Sequence, residues 1–238
     1  MITILHHLGL GDAIMLNGMV RHFAEMEEVC IFVQKQHLVS VEFMYRDIKD
    51  RVKIKTVNTT NAQDMWSQVE GKVLPLATYR IPDNIWKYIM EGPPTEMVNW
   101  AHSVYIQAGI PPKYMYSKFK VVRDKPSEIK CEYDDYVFIH DDISRGLKIE
   151  SDHPNVFRIT PEVLEKNSNI FEYLTVIENA KEVHCMDSCY AWMINMMEIG
   201  NASKNFLHLD VKGNYNTNMV RTVFGDDVWT CITSQSIL

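Results

Sequence analysis

The sequence predicts an α/β protein of two domains, each built on a parallel sheet wound in both directions. Three observations predict it. Short apolar runs alternate with helical patterns through most of the 238 residues, which is the signature of βαβ units. The alternation lapses between residues 111 and 135, where aromatics and charges mix without a sustained period, and then restarts. The composition, 46% hydrophobic and 23% charged, is that of a soluble globular chain long enough to form two compact cores. The domains are accordingly placed at 1–112 and 113–238.

In the first half "ITILH" reads as a strand and is followed by a helix from Asp12 to about Met26. "VCIFV" is the second strand, then come a helix near 37–46, the strand "VKIKTV", a helix near 61–69 and the strand "KVLPLA". "PDNIWKYIM" precedes "PTEMVNWAHSVYIQAGI", where Met97, Ala101, Val104, Tyr105 and Ala108 recur at helical spacing. Gly109, Pro111 and Pro112 end that helix. In the second half "YVFIHDD" and "VFRIT" are strands and "IFEYLTVIENA" is a helix that Asn169 can cap. The strand "EVHCM", the helix "CYAWMINMMEIG", the strand "FLHLD" and a last strand "VWTCITS" complete the reading.

The net charge of −7 gives the whole molecule no long-range attraction for nucleic acid or an anionic membrane, though a local basic pocket is compatible with it. No apolar run approaches the roughly 20 residues that cross a bilayer, and the N-terminus lacks a secretory signal, so a cytoplasmic protein is expected. Five cysteines, an odd number with no CxxC spacing, read as reduced and mostly buried thiols. Strand alternation points His184 and Cys185 to opposite faces, which argues against a shared metal in "HCMDSC". No GxSxG, HExxH or GKS/T motif supports a hydrolase or P-loop reading.

Ligands of such sheets bind beyond the C-terminal ends of the strands, so function is sought in the loops that follow them, and two such domains leave a cleft where those ends face each other. Three loops are chemically unusual. "HHLGLGD" supplies Gly9 and Gly11 at a strand-to-helix turn, where the lack of a Cβ allows positive φ and close ligand approach. The third glycine of a dinucleotide fingerprint is missing, since Ile14 holds its place. Asp12 takes the anion seat at the helix start, so the loop suits a neutral hydroxyl whose proton Asp12 can accept; the plainer reading is a helix cap. His7 and Asn17 flank this loop as candidate substrate contacts.

"HDDISRGLK" presents His140, Asp141, Asp142, Ser144, Arg145 and Lys148. Arg145 and Lys148 can neutralise a diphosphate, and the Asp141 and Asp142 carboxylates can hold Mg²⁺ or Mn²⁺; the alternative is a solvated charged turn. In "MDSC", Asp187 and Ser188 precede a helix whose N–H groups, with those of Ser188 and Cys189, can hold phosphate oxygens. Here too a helix cap is the plainer reading, and Trp192, Ile194, Met196 and Met197 read as ordinary core.

The strand, "GLGD" and helix at the N-terminus resemble the opening of the GT-B glycosyltransferases related to lipopolysaccharide heptosyltransferases, and "VHCMDSCYAWMINM" is similar to their later strand, D-S/T-G and helix. Through Ser188 and Trp192 that segment also resembles the N-S-S/T-x-S-W-W region of bacterial fucosyltransferases. "YVFIHDDISRG" and "NIFEYLTVIENAKEVHCMDS" are similar to a group of bacterial and viral glycosyltransferase-like proteins. The resemblance implies two Rossmann-like domains, an acceptor-side one first and a nucleotide-sugar-binding one second. It implies Asp12 as base, Arg145 and Lys148 on the donor phosphates, and Asp187 and Ser188 on the donor sugar and diphosphate.

Two departures stand out: Cys189 replaces the expected glycine, and Trp192 stands where the heptosyltransferase helix carries histidine, which argues against heptose as the donor sugar. The expected function is transfer of a sugar from a nucleotide-diphosphate sugar to a hydroxyl acceptor, with no cofactor, no resident metal, no nucleic-acid partner and no integral membrane segment. The alternatives are a metal-dependent GT-A-type transferase using Asp141 and Asp142, and a non-catalytic sugar-nucleotide or glycan-binding module.

Overall fold

The computed structural model describes residues 1–58, 65–76, 100–143, 146–166, 169–209 and 227–232. The chain divides into two units, Met1–Val122 and Arg123–Leu238. Unit 1 carries four parallel strands, β1 (Ile2–Leu5), β2 (Val29–Gln34), β3 (Val52–Val57) and β4 (Lys72–Pro75), in the spatial order β3-β2-β1-β4. All of β1 and the first five residues of β2 are buried, which is why these strands read as unbroken apolar runs. The edge strand β3 is half polar, and its Lys53 and Lys55 both reach Glu70, at 3.1 and 2.6 Å.

The helix expected from Asp12 is two helices, α1 (Leu10–Met15) and α2 (Asn17–Ala24), and it begins two residues early with Gly9 as N-cap. The break has an identifiable cause. On α4 (Trp100–Gln107), which follows α3 (Leu38–Tyr45), the fully buried Tyr105 donates its hydroxyl to the Met15 carbonyl at 2.9 Å and accepts from the Met19 amide at 3.1 Å. Those two backbone groups stand four residues apart and would bond to each other in a continuous helix. A hydroxyl inserted between them bends it.

Three further contacts hold α2 in place. A Cβ on Gly18 would lie 2.1 Å from the Tyr114 carbonyl oxygen, so α5 (Tyr114–Ser117) packs backbone against backbone there. Asn17 is fully buried, accepts from the Lys120 amide at 2.9 Å and donates to the Lys120 carbonyl at 3.3 Å. Arg21 forks onto Asp47 at 2.7 and 3.2 Å and donates to the Met44 carbonyl at 3.0 Å. Burial opposes the Asp47 charge, yet bonds from Arg21 and Lys120 hold its carboxyl below the usual range.

These contacts explain why residues 113–122 belong to unit 1, so that the division falls ten residues beyond the expected boundary at 112. Arg123 opens unit 2 because it is clamped there. Its guanidinium meets Glu128 at 2.8 and 2.5 Å and also pairs with Glu178, while Thr175 donates to Glu128 at 2.6 Å.

Unit 2 carries five parallel strands, β5 (Val137–His140), β6 (Val156–Arg158), β7 (Glu182–Met186), β8 (Asn205–His208) and β9 (Thr230–Ile232), in the order β6-β5-β7-β8-β9. Among the described residues its helices are α6 (Pro161–Lys166), which is not among the expected elements, α7 (Leu174–Asn179) and α8 (Cys189–Met196). Asn169 caps as expected, accepting from the Phe171 amide at 3.2 Å, but the turn it caps is a 3-10 helix that leads into α7. Phe138, Phe157, Tyr173 and Tyr190 form a ring cluster with centroids 5.9 to 6.2 Å apart.

Of the helix expected near 61–69, residues 61–64 lie outside the described residues and only Met65 and Trp66 of the rest are helical, while "PDNIWKYIM" lies wholly outside them. All five cysteines are free thiols. No helix among the described residues is long and apolar enough to cross a membrane.

Tyr105→Phe removes the bridge between Met15 and Met19 and strands two buried backbone groups. It should cost about 1–3 kcal/mol, seen as a lower urea midpoint at unchanged slope. An unchanged midpoint would show that the bend does not depend on the hydroxyl.

Candidate functional site

In unit 1, β1 has β2 on one side and β4 on the other; in unit 2, β5 has β6 on one side and β7 on the other. The winding direction therefore reverses at β1 and at β5, and crossovers that diverge to opposite faces leave a crevice beyond the strand ends. All three loops singled out by their chemistry lie at these reversals. Residues 6–9 follow β1, residues 141–147 follow β5, and Asp187 and Ser188 follow β7.

At the first reversal the glycines act differently from expectation. Gly9 is extended, with φ −68° and ψ 146°, and Gly11 lies within α1, so neither uses positive φ. What Gly9 provides is room. A Cβ there would lie 2.5 Å from Oδ2 of Asp12, because the Asp12 carboxylate folds back over the N-cap residue. Asp12 is thus the acid in the first turn of α1, where the helix N-terminus favours negative charge. His7 is exposed. Asn17, expected to touch substrate, is instead committed to the Lys120 backbone and sealed in the core.

His6 escaped the sequence reading although it adjoins His7. It is buried directly after β1, its Nδ1 has no hydrogen-bond partner among the described residues, and burial pushes its pKa down to about 4. The second reversal repeats the pattern. His140 ends β5, its Nδ1 is likewise buried without a partner among the described residues, and burial pushes its pKa down to about 4 against the pull of Asp141 and Asp142. Its ring lies 4.4 Å from that of Tyr190, whose hydroxyl is also buried without a partner among the described residues. Two orphaned polar atoms at one crevice are unusual in a folded protein. At neutral pH both histidines are uncharged, so they offer hydrogen bonds and no cation.

Asp141 is committed to the fold. One carboxylate oxygen accepts from the Ile149 amide at 2.8 Å, the other from Arg158, which also donates to the Ile149 carbonyl at 3.0 Å. A metal at the Asp141 and Asp142 pair would have to displace that guanidinium. Asp142 and Leu147 exchange backbone bonds at 3.0 and 3.1 Å, closing a turn in which Gly146 sits at φ 69°. Ser144 and Arg145 lie outside the described residues. Lys148 is exposed and pairs with Glu150 at 3.4 Å, a surface contact of little energetic weight.

Ser188 is the N-cap of α8, its hydroxyl accepting from the Ala191 amide at 3.5 Å, and Asp187 is half-buried beside it. Burial pushes the Cys189 thiol up to about 11, which disfavours its thiolate at neutral pH. Ile194 and Met196 are core, as expected, while Trp192 and Met197 are half-buried. His184 and Cys185 do point to opposite faces: Cys185 is fully buried, and His184 contacts His208 and Glu182, each at 3.1 Å.

No protein-family model matches the chain, and no curated protein matches it. Among solved structures the chain is similar to the bacterial iron-containing dodecameric glycosyltransferase TibC from enterotoxigenic E. coli, at 11% identity and a TM-score of 0.44. The match covers 90% of this chain and 60% of that one, so the chain spans less than two thirds of that protein's length. A likeness of this strength bears on neither substrate nor mechanism.

Because His6 and His140 bind a proton near pH 4 when folded but near 6.5 when unfolded, the unfolded chain binds more protons in between. Stability should therefore be full above about pH 6.5 and fall as the pH drops toward 4, by on the order of 3 kcal/mol for the fully buried His6. Urea unfolding across that range should show a shallower slope in His6→Leu than in the wild type. Parallel slopes would refute the assignment.

Proposed function

We propose that the chain is a glycosyltransferase that moves a sugar from a nucleotide-diphosphate sugar to a hydroxyl acceptor without a metal ion. The observation that carries this reading is the coincidence of the three chemically distinctive loops with the two winding reversals of its sheets. The commitment of Asp141 to Arg158 and Ile149 supports the metal-independent form.

In this reading unit 1 serves the acceptor. Asp12 receives the proton of the acceptor hydroxyl as that oxygen bonds to the anomeric carbon of the donor. Unit 2 serves the donor. The bond from the anomeric carbon to the diphosphate oxygen breaks, and the nucleoside diphosphate leaves with the bonding electrons. The N-terminus of α8, with Asp187, Ser188 and the amide of Cys189, positions the donor, Ser144 donates a hydrogen bond to its phosphates, and Arg145 and Lys148 balance the leaving charge. Gly9 and Gly11 keep the first loop slim, and His7, His140 and Asp142 line the approach. The partners are a nucleotide sugar and a glycan or other hydroxyl acceptor.

Asp12→Asn tests the central role. A thermal-shift screen against nucleotide diphosphates and their sugars identifies the donor through the rise in melting temperature that it produces. The variant should keep that donor shift and its fold while transfer falls by at least about 100-fold. Unchanged turnover in the variant would reject Asp12 as base. Transfer that persists undiminished in excess chelator is expected, and abolition by chelator would restore the metal-dependent alternative.

A further inference from the structure

We infer that unit 1 holds a second, separate binding site for an organic phosphate. A cavity of about 640 Å³ opens between the C-terminal half of α2, the segment before β3 and the residues that follow α5. That volume suits a small organic molecule. Arg51 immediately precedes β3, its carbonyl accepts from the Val29 amide that opens β2, and Glu25 closes α2. The cavity therefore lies where β2 and β3 begin, at the end of the sheet opposite the loop that holds Asp12. The inference does not rest on the transfer reading.

Its charge is contrary to that of the molecule. The protein carries −7 overall, yet four cations, Arg21, Arg51, Lys118 and Lys120, line the cavity. Two carboxylates answer them. Glu25 holds Lys118 at 2.5 and 2.7 Å, and Asp47 holds both Arg21 at 2.7 Å and Lys120 at 3.1 Å. Four cations on two carboxylates leave a surplus of two, the charge of a phosphate monoester dianion.

The surplus resides in reachable groups. Arg51 spends only its Nε, on the Ala24 carbonyl at 2.9 Å, and its guanidinium has no other partner among the described residues. That bond also covers a carbonyl at the end of α2 that would otherwise repel an anion. Lys120 is the second cation on Asp47 and its side chain is 62% exposed. A fork and a mobile ammonium are the pair that phosphate oxygens favour. Ile48, Ala24 and Phe119 supply an apolar wall for the body of the ligand.

The test uses the full chain and phenyl phosphate, with phenol and inorganic phosphate as the two halves of the probe, followed by titration calorimetry. Phenyl phosphate should bind saturably and more tightly than either half, and weaken with added salt. Lys120→Gln and Arg51→Gln should each weaken it by about tenfold, whereas Lys72→Gln, which removes an exposed lysine elsewhere in unit 1, should leave it unchanged. Should Arg51→Gln fail to fold, Lys120→Gln with a native circular dichroism spectrum decides alone. Absence of saturable binding, or equal affinity in Lys120→Gln and wild type, overturns the site.

Discussion

A parallel sheet that grows in one direction packs every crossover helix on the same face, and the loops at its strand ends are crowded by their neighbours. Growth in both directions from one strand relieves that crowding at one place. Each sheet here does so once, at β1 and at β5. The reversal makes the loop after β1 and the loops after β5 and β7 the open ends of their sheets, and it is independent of which side chains occupy them. The residues proposed to carry chemistry lie at or soon after those strand ends: Asp12 in the first turn of α1, His140 as the last residue of its strand, and Ser188 as a helix cap.

Placing the first of these loops is the work of contacts far away in the chain. Tyr105 divides the helix after it into α1 and α2 by occupying one rung of the hydrogen-bond ladder. Gly18 and Asn17 then dock α2 against residues 114–120, and Arg21 ties it to the end of α3. A short α1, released from the direction of α2, can set its N-terminus by its own packing. Leu10, Ala13, Ile14 and Met15 are all buried, which leaves Gly11 and Asp12 as the part of α1 turned outward.

The strands were legible because central parallel strands are buried on both faces, so "ITIL", "VCIFV" and "VFIH" are unbroken apolar runs. The loops were legible for a related reason: polar residues that break such a run abruptly must lie beyond the sheet. The partners of those polar residues were not. Asp141 and Asp142 look equivalent in sequence, but the fate of Asp141 is decided by Arg158, and only the oddity of an arginine inside "VFRIT" hints at it. His6 and His7 are likewise indistinguishable as letters. The difference is burial: the core of unit 1 runs on past β1 through His6 and Leu8, while His7 between them is turned outside. The basic cavity draws on three separated segments, and no local pattern could have gathered them.

In the proposed transfer, the position of Asp12 bears on how strong a base it would have to be. A side-chain carboxylate is by nature a mild base, and in the first turn of a helix it lies where the N-terminus favours negative charge. Sugar transfer tolerates a mild base. As the acceptor oxygen bonds to the anomeric carbon it gains positive character, and its proton becomes far more acidic than that of a free alcohol, so the transfer runs downhill late in the reaction. What the base must supply is position, within hydrogen-bond reach of one hydroxyl. A side chain folded over Gly9 and anchored on a short, well-packed helix supplies that better than one on a free loop. Sitting in the first turn of the helix and accepting the proton are therefore compatible tasks for the same carboxylate.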